Sequence, residues 1–110
     1  MVAPITPDEF AAADGVADWR VLPSGVACAY FRTGSFANGV ELVNVIGRLA
    51  DEANHHPDVD LRYPGMTVRL LTHEVMALTE RDIALARQIS AAAAEAGIPA
   101  DPSAVADLTE

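Results

Sequence analysis

Three histidines, His55, His56 and His73, are the residues of this chain best suited to moving protons. An imidazole titrates near neutrality when unperturbed, so it can serve as acid or base at working pH. His55 and His56 follow a long apolar-periodic stretch. His73 ends a stretch that returns from Pro64-Gly65, so a hairpin carries it back towards the other two. Three imidazoles at one pocket rim would make an acid/base centre; the plainer alternative is loop-end histidines with no chemistry. A metal site built from His55, His56, His73 and Asp51 is a further alternative. Adjacent histidines in extended chain point to opposite sides, and neither an H-x3-H nor a C-x2-C pair is present, so no metal is expected. Asp82 lies three residues after Thr79, the spacing of a helix-capping box, where its charge also suits the positive end of the helix dipole. Tyr63 precedes a turn and reads as packing. The glycines form no phosphate cradle, and no serine nucleophile motif appears.

The elements that must position these residues follow from patterning. Thr6-Pro7-Asp8-Glu9 opens a short helix: a hydroxyl at the cap, proline at the first helical position, acids in the first turn. Strands are predicted at 19–22 and 26–31, joined at Pro23-Ser24-Gly25. The second is apolar on both alternating sets, Val26/Cys28/Tyr30 and Ala27/Ala29/Phe31, and so expects cover on both faces. Ser35 caps a helix to about residue 53. On it Phe36, Val40, Val43 and Gly47 form one apolar line and Leu42, Ile46, Leu49 and Ala53 a second, together a wide stripe for lying on a sheet. Asn54-His55-His56-Pro57 ends that helix. Strands at 59–63 and 66–72 flank Pro64-Gly65, read as the centre of a type II turn. Thr79 starts the last helix, with Ile83, Ala86 and Ile89 at helical spacing. The expected fold is α+β, in the order α-β-β-α-β-β-α, with a four-stranded antiparallel sheet and helices packed on one face. Residues 1–97 form a single domain, and 98–110 a loose acidic tail.

Composition narrows the possible roles. The chain has 110 residues, the size of one domain, and 51% of them are hydrophobic but only 5% aromatic. Seven basic residues, all Arg, stand against 16 acidic ones, a net charge of −9. That field repels phosphate backbones and anionic lipid, so neither nucleic acid nor membrane is an expected partner. A single cysteine, Cys28, forms no internal disulfide, and no signal or bilayer-length apolar run appears. A cytoplasmic protein is expected.

Spacing then adds a resemblance. The run Asp51-x3-His55-His56-Pro57-x5-Tyr63-x9-His73-x8-Asp82 resembles the motif of the pterin-4a-carbinolamine dehydratases, with every anchor filled. Trp19, Phe31, Ser35-Phe36, Thr72-His73-Glu74 and Leu78-Thr79-Glu80-Arg81-Asp82-Ile83 resemble family pieces too, and the likeness covers roughly residues 7–95. Two positions depart: Val59 where an aromatic is frequent, and Ala77 where glycine is frequent. The first bears on a pocket wall, the second on a turn. The resemblance implies dehydration of 4a-hydroxytetrahydropterin to quinonoid dihydropterin, in tetrahydrobiopterin recycling, with no cofactor. It implies proton transfer by His55 and His73, with His56 orienting substrate or sharing that role. Asn54, Leu71, Thr72 and Glu74 would line the site with the histidines, and Asp51, Tyr63 and Asp82 would support it. Two other readings stay open: a non-catalytic interaction module of the same fold, and a pterin-handling protein in another pathway such as molybdopterin metabolism. A homodimer or homotetramer is expected, because three helices leave one sheet face and both edges bare.

Overall fold

The computed structural model describes residues 2–105. Helix α1 (Pro7–Ala11) starts at Thr6, whose hydroxyl and the Glu9 carboxylate satisfy each other's backbone amides in a capping box. Strand β1 (Arg20–Val21) is shorter than predicted, and β2 (Ala27–Phe31) pairs antiparallel with it. Helix α2 (Phe36–Ala53) starts at the predicted Ser35 cap, and β3 (Asp58–Arg62) and β4 (Gly65–Leu70) form the hairpin after it. Helix α3 (Glu80–Glu95) closes the predicted order. The strands form one antiparallel sheet in the order β1-β2-β4-β3, with β4 between β2 and β3.

One face of the sheet carries the main core. Ala27, Ala29 and Phe31 of β2 and Met66, Val68 and Leu70 of β4 pack with Leu42 and Ile46 of α2 and Ile83, Ala86, Ile89 and Ala93 of α3. Period-two strands meet period-3.6 helices there, as the patterning required. Trp19 lies against Phe31 edge-on at 6.4 Å, and its Nε1–H donates to Ser90 Oγ of α3 at 2.9 Å.

Three expectations are corrected. First, the α2 stripe is only half covered. Leu42, Ile46 and Ala50 are buried, whereas Phe36 and Val40 lie on the outer side. Second, the hairpin turns at Tyr63-Pro64, with Arg62 paired to Gly65, so Pro64-Gly65 is not the centre of a type II turn. Gly65 is already strand. Its lack of a side chain serves packing, because a Cβ there would run into the Tyr30 phenol and the Phe31 carbonyl. Third, residues 98–105 are docked rather than loose. Arg32 N–H donates to Pro99 O at 2.9 Å, and Asp101 N–H donates to Tyr30 O at 2.8 Å. A fourth helix, α4 (Pro102–Val105), then lies on the sheet face opposite the other helices. Its Val105 is fully buried with Leu22 and Cys28, the outward side of β2. That strand does have cover on both faces, supplied partly by its own chain end. Residues 106–110 of the expected tail lie outside the described residues.

Candidate active site

Three elements end at one place. Helix α2 stops because Asn54 turns left-handed (φ 51°, ψ 44°), its amide donating back to Ala50 O and Asp51 O. Asparagine is among the few residues that accept this conformation, and Pro57 bars any continuation. The reversal also sends the His55 amide back to Ala50 O at 3.1 Å, leaving His55 buried and His56 exposed. Neighbours in extended chain point to opposite sides, so the two imidazoles have separate environments.

His55 Nε2 lies 2.6 Å from Asp82 Oδ1, across 27 residues of sequence. Asp82, fully buried, sits three residues past the Thr79 cap of α3, and its Oδ2 accepts the Thr79 N–H at 2.9 Å. The same oxygen accepts the Thr72 hydroxyl at 2.7 Å, and Thr72 Oγ1 lies 2.8 Å from Thr79 Oγ1. Asp82 therefore ties the end of α2, the exit of β4 and the start of α3 together. The predicted capping box is present. Its carboxylate has a second duty that the box did not disclose.

The remaining candidates gather around this tie. Thr72 exchanges backbone hydrogen bonds with Ala77 at 3.0 and 3.4 Å, closing a tight loop over 73–76. His73 opens that loop, exposed and with no side-chain hydrogen bond among the described residues. It follows Thr72 directly, about 3.8 Å away between Cα atoms. Glu74 accepts from Arg81 at 2.6 Å, which fastens the loop to the first turn of α3. On the far side of the α2 terminus, His56 Nε2 lies 2.9 Å from Asp51 Oδ1, both side chains exposed. Asn54 is exposed and Leu71 half-buried beside the same loop.

The structure brings most of this set to one end of the fold and leaves some of it elsewhere or otherwise engaged. Asp51 was expected to support the site, and its partner is His56. Thr72 was expected to touch substrate, yet its buried hydroxyl is spent on Asp82 and Thr79. Tyr63 is not brought in. It stands exposed at the hairpin tip, at the opposite end of the six-residue β4 from Thr72, roughly 20 Å away. The pairing of Asp82 with His55 was missed, although one signal pointed to it. Asp82 occupies the same helical phase as Ala86, Ile89 and Ala93, all buried, so its carboxylate had to face inwards. Among the described residues no three His, Cys, Asp or Glu side chains gather so as to hold a metal ion. What the arrangement offers is one imidazole buried on a carboxylate, one exposed beside a carboxylate, and one free.

The sequence model of the family described as Pterin 4 alpha carbinolamine dehydratase matches residues 3–92. A protein of Thermomicrobium roseum named "Putative pterin-4-alpha-carbinolamine dehydratase" is 46% identical over 56 residues, 51% of this chain and 60% of that one. One of the same name from Mycobacterium tuberculosis is 44% identical over 57 residues, 52% of this chain and 61% of that one. The chain thus spans about six-tenths of the length of these relatives. Another of that name, from Chloroflexus aggregans, is 38% identical over 72 residues, 66% of this chain and 77% of that one. Among solved structures, the transcriptional coactivator/pterin dehydratase of Brucella melitensis superposes with a TM-score of 0.72 at 25% identity, over 78% of this chain and 90% of that one.

Proposed function

Since the chain belongs to the pterin 4 alpha carbinolamine dehydratase family, we propose that it removes water from a 4a-hydroxytetrahydropterin to give the quinonoid dihydropterin. The elimination needs two proton transfers. The 4a-hydroxyl leaves as water only when protonated, and the N5 proton departs as the C4a=N5 double bond forms. His55 and His73 divide these transfers, and His56, paired to Asp51, binds and orients the ring. The buried 2.6 Å pair of His55 with Asp82 carries the reading. A histidine held on a buried carboxylate is costly to build for packing alone, and it recurs where an imidazole must accept a proton and be stabilised once charged. Asn54 and Leu71 flank the three histidines and supply walls for a flat heterocycle.

In this reading the protein works in pterin recycling, as a homodimer or homotetramer. No helix of the described residues is long and apolar enough to cross a membrane. The test is consumption of chemically generated 4a-hydroxytetrahydropterin, followed by absorbance with and without the protein. Acceleration that survives chelator treatment is expected, since imidazoles suffice for both transfers. Activity lost to chelation and restored by zinc would replace this mechanism with a metal-based one. A second reading, an interaction module, draws on the exposed Phe36 and Val40 of α2 and on the coactivator half of the Brucella protein's name. It predicts no acceleration at all.

A further inference from the structure

Three groups bond Asp82, one of them the end of a hydroxyl chain, and the directions of these bonds decide which nitrogen of His55 carries the proton. Arg81 N–H donates to Thr79 Oγ1 at 3.2 Å, so the Thr79 hydroxyl keeps its own hydrogen free to give. The Thr72 hydroxyl gives its hydrogen to Asp82 Oδ2, which leaves Thr72 Oγ1 as the acceptor for Thr79. The relay therefore runs one way, from Thr79 through Thr72 to Asp82, and the Thr79 amide joins it on the same oxygen. Oδ2 thus accepts two hydrogen bonds, and the contact with His55 falls on the other oxygen, Oδ1. An anionic Asp82 has no hydrogen to donate, so the 2.6 Å contact must be donated by His55 Nε2–H. In a neutral imidazole the other nitrogen is then bare.

Nδ1 is also the nitrogen able to meet a ligand. It has no hydrogen-bond partner among the described residues, and the one buried side-chain polar atom found without a partner there is Thr33 Oγ1. His55 Nδ1 therefore reaches the surface. We infer that Thr72 and Thr79 are positioning residues that fix His55 as the Nε2–H tautomer, making Nδ1 the base of the site. Resting on the reading above, the base takes the N5 proton, the freed pair forms C4a=N5, and the C4a–O bond breaks. The oxygen leaves as water with a proton from the unbonded His73. The imidazolium left on His55 faces the Asp82 carboxylate, which stabilises it until the proton is released. Thr72, expected from the sequence to line the substrate, acts instead through Asp82.

The experiment is long-range proton–nitrogen correlation NMR on 15N-histidine-labelled protein, in which three histidines give a simple spectrum. It needs no substrate, so it decides the tautomer even if the pterin reading fails. Expected, at a pH where the spectrum shows His55 neutral, is a protonated Nε2 and a bare Nδ1 in the wild type. In Thr72→Val, close in shape but without the hydroxyl, the His55 signals should move to a mixture of tautomers. Turnover should fall on the order of tenfold with KM retained, and Thr72→Ser should restore both. A wild-type His55 protonated on Nδ1 overturns the inference. So does a Thr72→Val protein with unchanged His55 signals, or one whose loss is not recovered by serine.

Discussion

At the scale of single residues, burial separates two carboxylates that the motif alone makes look equivalent. Asp51 pairs with His56 in water, where an ion pair contributes little, so Asp51→Ala should leave stability within about 0.5 kcal/mol of wild type. Asp82 is fully buried with three donors on its two oxygens. Asp82→Ala strands the Thr72 hydroxyl, the Thr79 amide and the His55 ring together. We expect a loss of about 3 kcal/mol, seen as a fall in Tm of more than about 10 °C, together with loss of turnover. An unchanged Tm would show that the network carries no such weight. His73 offers the opposite case. It is exposed and unbonded, so His73→Ala should abolish turnover without moving Tm, and a variant with wild-type kcat/KM would remove His73 from the mechanism. The sequence singles out the imidazoles because histidines are few and their spacing is specific. The Asp82 pairing was not, because a contact across 27 residues depends on how α2 and α3 meet.

The elements were legible in proportion to their length. Helix α2, at 18 residues, shows its cap and its period clearly, and both of its ends fall where the sequence puts them. The hairpin was legible but its turn was misplaced by one residue, since local preference favours Pro-Gly while the obstacle at Gly65 is Tyr30 on another strand. Helix α4 was missed because four residues show no period, and its burial is decided by outward side chains of β2. A chain ending after Asp101 tests that docking. It uncovers Leu22 and Cys28, so Tm should fall by several degrees and the Cys28 thiol should become reactive to a disulfide reagent. Unchanged Tm with Cys28 still protected would show that α4 adds nothing. The latch also predicts a pH dependence. The Ser103 hydroxyl, and after it the Arg32 guanidinium, hold the Asp101 carboxyl below its ordinary value. A depressed folded-state value gives stability that is present above the usual carboxylate range and lost as pH falls through the folded one. Any Tm difference between wild type and Asp101→Asn at neutral pH should therefore shrink as pH falls below about 4 and close once the pH is under the depressed folded value. A gap that persists there would place its origin elsewhere.

For the molecule as a whole, the uncovered surfaces argue for self-association, on grounds only partly those the sequence suggested. The second sheet face is partly closed by α4, so that face no longer requires a second copy. What stays open is the outer line of α2. Phe36 is 49% exposed and Val40 41%, and half-buried Val43 and exposed Gly47 continue the same stripe at helical spacing. This stripe was read as sheet-facing, but the fully buried line is the neighbouring one of Leu42, Ile46 and Ala50, and of the stripe only Val43 packs partly against the core. A contiguous apolar line on an 18-residue helix, with a glycine that permits close backbone approach, suits a second copy of itself across a two-fold axis. The sheet also ends in two open strands, β1 and β3, which offer further pairing sites for a dimer of dimers. Light scattering coupled to size exclusion at micromolar concentration should give a dimeric or tetrameric mass. The double variant Phe36→Asp/Val40→Asp should reduce that mass while leaving the fold intact, because both residues lie outside the buried core and are about half exposed in the single chain. An oligomer unaffected by both charges would move the interface to the strand edges, and a wild-type mass of one chain, unchanged on concentrating, would refute self-association.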